Sequence, residues 1–158
     1  MSMFESDRYR WRETYFILFD SAQRPSQERL EQTLSQLSPQ FEVSASRLDE
    51  NGEFESLTVL AHGAYAALDI SYLDGEEVIE QAVEWGEEFE GMADTPIERE
   101  KLKRLSACDA RFDLLHFEEV PDEEDEEMFD PSALLLVVDA LARLTQGVAL
   151  DPQSGTLM

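Results

Sequence analysis

Apolar positions along this chain recur at two periods, two residues in some stretches and three to four in others, and the switches between them predict alternating strands and helices. Thr14 to Phe19, TYFILF, has no polar alternation, as expected of a strand covered on both faces or central in a sheet. Pro25-Ser26 opens a helix through about Leu37, with Leu30, Leu34 and Leu37 on one stripe and Pro39 as its stop. Phe41 to Leu48 alternates as a half-exposed strand. Asn51-Gly52 then predicts a type I′ hairpin turn into a partner strand, Glu53 to Ala61. His62-Gly63 separates that strand from another, Ala64 to Leu73. A second tight turn is the preferred reading there, and one long strand with a glycine bulge the alternative.

Asp74-Gly75 leads into a helix through about Phe89, with Ile79, Ala82, Val83, Gly86 and Phe89 on its buried side and Gly91 as its C′ residue. A second helical piece, Pro96 to about Ser106, carries Arg99, Lys101, Lys103 and Arg104, cations placed to pair with the acidic helix before it. Phe112 to Val120 reads as a strand. Asp130 and Pro131 start the most apolar helix, whose Leu134, Leu135, Leu136, Val137, Val138 and Leu141 predict cover from more than one side. At roughly 1.5 to 3 kcal/mol per buried aliphatic side chain, those six would give about 10 kcal/mol of gross burial. Gly147 ends that helix, Val148 to Leu150 is a short strand, and the turn at Asp151 to Gly155 sends Thr156 to Met158 back beside it.

This order predicts an α+β fold: a mainly antiparallel sheet of about five to seven strands with helices packed on one face, the ferredoxin-like plait being the nearest plan. The 158 residues, 42% of them hydrophobic, suit one domain spanning 1–158, with an N-terminal arm at 1–12 and an acidic loop at 121–129.

Charge changes the picture more than composition does. Thirty-six acidic residues against twelve basic ones give a formal charge of −24, which repels nucleic acid and anionic lipid and favours cationic partners. Added salt should stabilise such a chain. In the arm, Arg8, Arg10 and Arg12 alternate with Tyr9 and Trp11. A nucleic-acid reader could use that pattern, but the overall charge favours arginines that meet the protein's own carboxylates while the aromatics pack on the domain. No apolar run approaches the roughly 20 residues of a membrane helix, and the first sixteen residues lack a secretory pattern, so the expected location is cytoplasmic. Cys108 is the one cysteine, expected to be a buried, inert thiol.

Candidate chemistry is sparse. Asp20 sits at the carboxyl end of a central strand, where open α/β sheets place catalytic groups, but Ala22 stands where a phosphatase-like pair would need a second acid. His62 and His116 are the only histidines, and neither forms a close metal-ligand pair with Cys108 or the other. The run Asp122, Glu123, Glu124, Asp125, Glu126 and Glu127 lacks the glycine of a calcium loop and reads as a solvated loop. No catalytic residue, metal site or cofactor is therefore assigned.

Gly147 to Gly155, GVALDPQSG, following an alanine- and leucine-rich helix, resembles the close of a group of uncharacterised bacterial α/β domains, some of them immunity-type proteins. The resemblance implies an interaction protein and no catalytic residue. The expected function is non-enzymatic: an acidic binding protein, monomer or weak dimer, that docks a cationic protein partner through the helix Glu76 to Glu90 and through Asp122 to Glu127. The alternative is a small enzyme or ligand-binding domain with a cleft near Asp20 and the histidines. It requires Asp20 to do more than close a turn.

Overall fold

The structure, a computed structural model, describes residues 9–61, 66–119 and 132–157. Its strands are β1 (Tyr9–Phe19), β2 (Phe41–Leu48), β3 (Phe54–Ala61), β4 (Ala66–Asp74), β5 (Ala110–Glu119), β6 (Val148–Asp151) and β7 (Thr156–Leu157). The helices are α1 (Gln27–Leu37), α2 (Glu76–Glu90), α3 (Pro96–Leu105) and α4 (Ser132–Thr145). All seven strands form one sheet in the order β2-β3-β4-β5-β1-β6-β7, and every neighbouring pair is antiparallel. The α+β class and the antiparallel sheet are those expected from the sequence. His62 and Gly63 lie outside the described residues, but Ala61 pairs with Ala66, so β3 and β4 form a hairpin rather than one bulged strand.

The helices divide between the two faces of the sheet. Successive residues of a strand point to opposite faces. Ile17 and Phe19 of β1 join Leu30 and Leu34 of α1 and Leu134, Val137, Val138 and Leu141 of α4 in one core. Leu18 joins Val78, Ala82 and Phe89 of α2 and Leu102 and Leu105 of α3 in another. The expectation of helices on one face thus gives way to two on each. β1 is why: its run without polar alternation puts apolar side chains on both faces, and each face needs its own cover. The meander β2 to β5 and this division also set the fold apart from the ferredoxin-like plait.

Local chemistry sets the element ends. Ser26 caps α1 by accepting from Arg29 N at 3.2 Å. Thr95 caps α3 by accepting from Glu98 N at 3.1 Å, while Glu98 Oε2 accepts from Asp94 N at 3.0 Å, with Pro96 in the first turn. The β2–β3 turn is not type I′, because Gly52 alone takes positive φ there, at 77°. Asp49 organises it instead: its Oδ1 accepts from Asn51 N at 2.8 Å and Glu53 N at 3.0 Å, and its carbonyl from Gly52 N at 3.0 Å.

Three further expectations are corrected. Residues from Tyr9 onward are not an arm but the first part of β1, paired with β5 from Glu119 inward. In α2 the buried residues are Val78, Ala82, Gly86 and Phe89, whereas Ile79 and Val83 are 43% and 42% exposed. Gly86 sits against the end of α3, where an added Cβ would lie 2.8 Å from Ser106 Oγ. In α4, Leu135 and Leu136 are about half exposed, at 49% and 47%, because only one face of the sheet lies beneath the helix. The acidic loop at 121–129 and the cap at Asp130 lie outside the described residues.

Candidate functional site

α2 carries the densest acidic surface among the described residues. All seven of its glutamates, Glu76, Glu77, Glu80, Glu84, Glu87, Glu88 and Glu90, are exposed. At 3.6 residues per turn, Ile79 and Val83 fall on the same outer face as Glu76, Glu80, Glu87 and Glu90. An apolar ridge edged with carboxylates results. Beside it a groove of about 550 Å³ runs between α2 and α3, with Glu87 and Glu90 on one wall and Arg99 and Lys103 on the other. Of the four α3 cations expected to meet the acidic helix, Arg99 and Lys103 face it, whereas Lys101 and Arg104 line a different groove. Val83 lines this groove too, opposite Arg99 and Lys103, while Ile79 lies outside it.

Asp20 closes a turn: its Oδ1 accepts from Ala22 N at 2.9 Å and starts the short 3-10 turn Ser21–Gln23. Asp109 joins this turn to the far end of α3 by accepting from Ser21 N and Oγ, each at 2.7 Å. His116 is elsewhere. It stands opposite Glu13 on β1, seven residues from Asp20, a separation of about 23 Å along an extended strand. It is 1% exposed, with Nδ1 3.4 Å from Glu13 Oε1, and burial holds its pKa below the ordinary 6.5. Asp20 and His116 share no cleft, and His62 lies outside the described residues. Asp122, Glu123, Glu124, Asp125, Glu126 and Glu127 lie outside them too.

The chain matches no family model, no curated protein and no solved structure.

Other polar groups are tied up in holding the fold. Glu118 takes Arg10 Nε at 2.5 Å and Arg12 Nη1 at 2.7 Å. Partial burial raises its pKa, but the two guanidinium groups outweigh that and leave it below the ordinary value. The two arginines thus meet the protein's own carboxylate, while Trp11 stays 45% exposed instead of packing inward. Arg24 binds Asp49 at 3.1 Å, Glu53 at 2.8 Å and the Phe54 carbonyl, and lies 3.7 Å over the Tyr72 ring. Nothing in the spacing of Arg24 signals this role. Cys108 is buried, donates to the Arg104 carbonyl at 3.2 Å, and has its pKa pushed up to about 12, first by burial and then by Asp109 and Asp20.

The half of the second face that α2 and α3 leave open is polar. A pocket of about 380 Å³ there is lined by Ser56, Thr58, Asp69, Ser71 and Arg47, with Thr58 Oγ1 donating to Asp69 Oδ1 at 2.7 Å. Next to it, Arg111 binds Asp113 at 2.6 Å, donates to Gln81 of α2 and lies 4.4 Å over the Phe16 ring. Burial raises the Asp113 pKa against the pull of Arg111. This network anchors α2 to the sheet. No group of three or more His, Cys, Asp or Glu positioned to hold a metal occurs among the described residues. No helix among them is long and apolar enough to cross a membrane.

Proposed function

We propose that this chain is a non-enzymatic binding protein that docks a cationic, amphipathic protein partner on the outer face of α2, with Asp122 to Glu127 adding to the same field. The observation that carries the reading is the placement of Ile79 and Val83, nearly half exposed, among the exposed glutamates of α2. Apolar side chains supply the contact area, and carboxylates around them select a partner with lysines or arginines beside its own apolar residues. A charge of −24 would speed the encounter and make it dependent on ionic strength. This division of labour suits a cytoplasmic interaction protein better than a chemical site, since Asp20 is committed to its turn and His116 to the core.

The test uses a defined probe, a basic amphipathic peptide, titrated into the whole chain at low and moderate salt. Binding should fall steeply with salt. Ile79→Ser/Val83→Ser should weaken it at every salt concentration, and Glu80→Gln/Glu84→Gln/Glu87→Gln should flatten the salt dependence. Replacing Asp122 to Glu127 by Asn or Gln reports separately on that run. An affinity that is flat in salt, or untouched by the α2 changes, refutes the reading.

A further inference from the structure

The edge of the sheet beyond β6 has the opposite character from the rest of the molecule. β7 pairs only with Leu150 and Asp151, so no strand pairs with the outer edge of Val148 and Ala149 among the described residues. α4 lies on one face of the sheet and α3 on the other, and their side chains overhang this edge to form a groove of about 560 Å³. Its floor is apolar, with Leu135, Val138, Ala142 and Val148, and Leu135 is 49% exposed.

Lys101 and Arg104 come from α3 and Arg143 from α4, and Asp139 is the one acid lining the groove. The whole chain has three acids for each base, whereas this groove has three bases for one acid. Part of that charge has structural uses. Arg104 Nη1 donates to the Gln146 carbonyl at 3.2 Å, and Arg143 Nε meets Asp139 at 3.1 Å on the same helix. All three cations, Lys101 included, have contacts within the fold, and none of these accounts for the open leucine beneath them.

We infer that this groove binds a small amphiphilic anion, an apolar body laid along Leu135, Val138 and Ala142 whose carboxylate meets Lys101, Arg104 and Arg143. The volume is within the range of roughly 300 to 1,000 Å³ usual for small-molecule sites. Charge complementarity selects the anion: the surrounding negative field repels it at long range, so contact must come from the cations of the groove itself, and a cationic amphiphile finds no carboxylate but Asp139 there. The groove is a separate surface from α2.

The experiment is calorimetric titration of the full chain with decanoate below its micelle concentration, alongside decanol and decyltrimethylammonium, with amide NMR shifts to locate the contact. Decanoate should bind one to one, more tightly than decanol, and shift Leu135, Ala142 and Arg104. Lys101→Gln/Arg104→Gln/Arg143→Gln should weaken it about tenfold, the equivalent of about 1.4 kcal/mol. Because Arg104 also holds the end of α4, Lys101→Gln/Arg143→Gln keeps that bond and should still weaken binding severalfold. Gln32→Ala, a charge-neutral change on the exposed side of α1 outside the groove, should leave it unchanged. The inference is overturned by a lack of saturable decanoate binding, by equal or tighter binding of decyltrimethylammonium or decanol, or by shifts that fall outside the groove. An acidic peptide that binds the groove where decanoate does not would overturn it as well.

Discussion

Replacing Gly147 by alanine tests how tightly α4 is joined to the sheet. An added Cβ would lie 2.6 Å from the Leu18 carbonyl oxygen, 2.9 Å from Thr145 Oγ1 and 3.1 Å from Ile17 Cγ2. Neither side has room to yield. Leu18 is the ladder partner of Val148, the residue after the glycine, and Gly147 N donates back to the Ala142 carbonyl at 2.9 Å. Forcing a methyl group into such packing costs about 1 to 3 kcal/mol. Restricting the unfolded chain returns about 0.4 to 1 kcal/mol. The net loss is about 1 to 2 kcal/mol, which in a domain of this size lowers Tm by about 2 to 8 °C. Gly91→Ala is the matched control, since Gly91 has φ −75° and ψ −10° and nothing lies within 4 Å of the place its methyl would take. It should be neutral or raise Tm slightly. Thermal unfolding followed by circular dichroism, with urea unfolding to check that the m-value is unchanged, reads both variants. A Gly147→Ala protein as stable as the wild type would show that the junction is looser than the distances imply.

Three further predictions concern buried and partly buried groups. The folded chain holds the His116 pKa below 6.5 mainly by desolvation, with Glu13 and Glu118 opposing and Arg12 assisting, so the unfolded chain takes up a proton that the folded one refuses. Unfolding free energy should therefore decline as pH drops through 6.5 toward the folded pKa, and His116→Gln should flatten that part of a stability-against-pH curve; an unaltered slope removes His116 as its source. Cys108, with a pKa near 12, should react with a maleimide only on the timescale of unfolding, and labelling as fast as that of a free thiol would place it at the surface. Arg24→Lys keeps the charge but loses the fork that spans Asp49, Glu53 and the Phe54 carbonyl, as well as the stacking on Tyr72. It should cost about 1 to 2 kcal/mol in urea unfolding, whereas an unchanged midpoint would make the cluster incidental.

Much of the fold is legible in the sequence because strand and helix periods are local properties. The stripe of Leu30, Leu34 and Leu37 with its Ser26 cap and the pairing of β3 with β4 need only nearby residues to specify them, and the structure has both. The alternation from Phe41 to Leu48 holds only through Val43: Ala45 takes φ 52° and is exposed, and the register with β3 shifts after Ser44. Net charge is likewise a sum over the sequence. What the tertiary structure decides is which side of each element is covered. Ile79 and Val83 have the same spacing in sequence as true core positions. They are left open because the sheet and α3 cover the side of α2 that carries Val78, Ala82 and Phe89. Leu135 and Leu136 belong to an apolar run that reads as buried all round, yet a helix on the outer layer of a sheet has only one covered side. Helix ends depend on neighbours in the same way. The sequence suggested Gly91 and Gly147 as stop residues for conformational reasons, but Gly91 is right-handed, Gln146 takes the positive φ of 53° at the end of α4, and Gly147 is small because β1 passes 2.6 Å from where its methyl would be. The charged clusters at Arg24 and Glu118, and the cationic groove beside β6, unite residues far apart in the chain, and no local spacing encodes them. Periodicity determines what each segment becomes, and the space left by the other segments determines which of its residues face solvent.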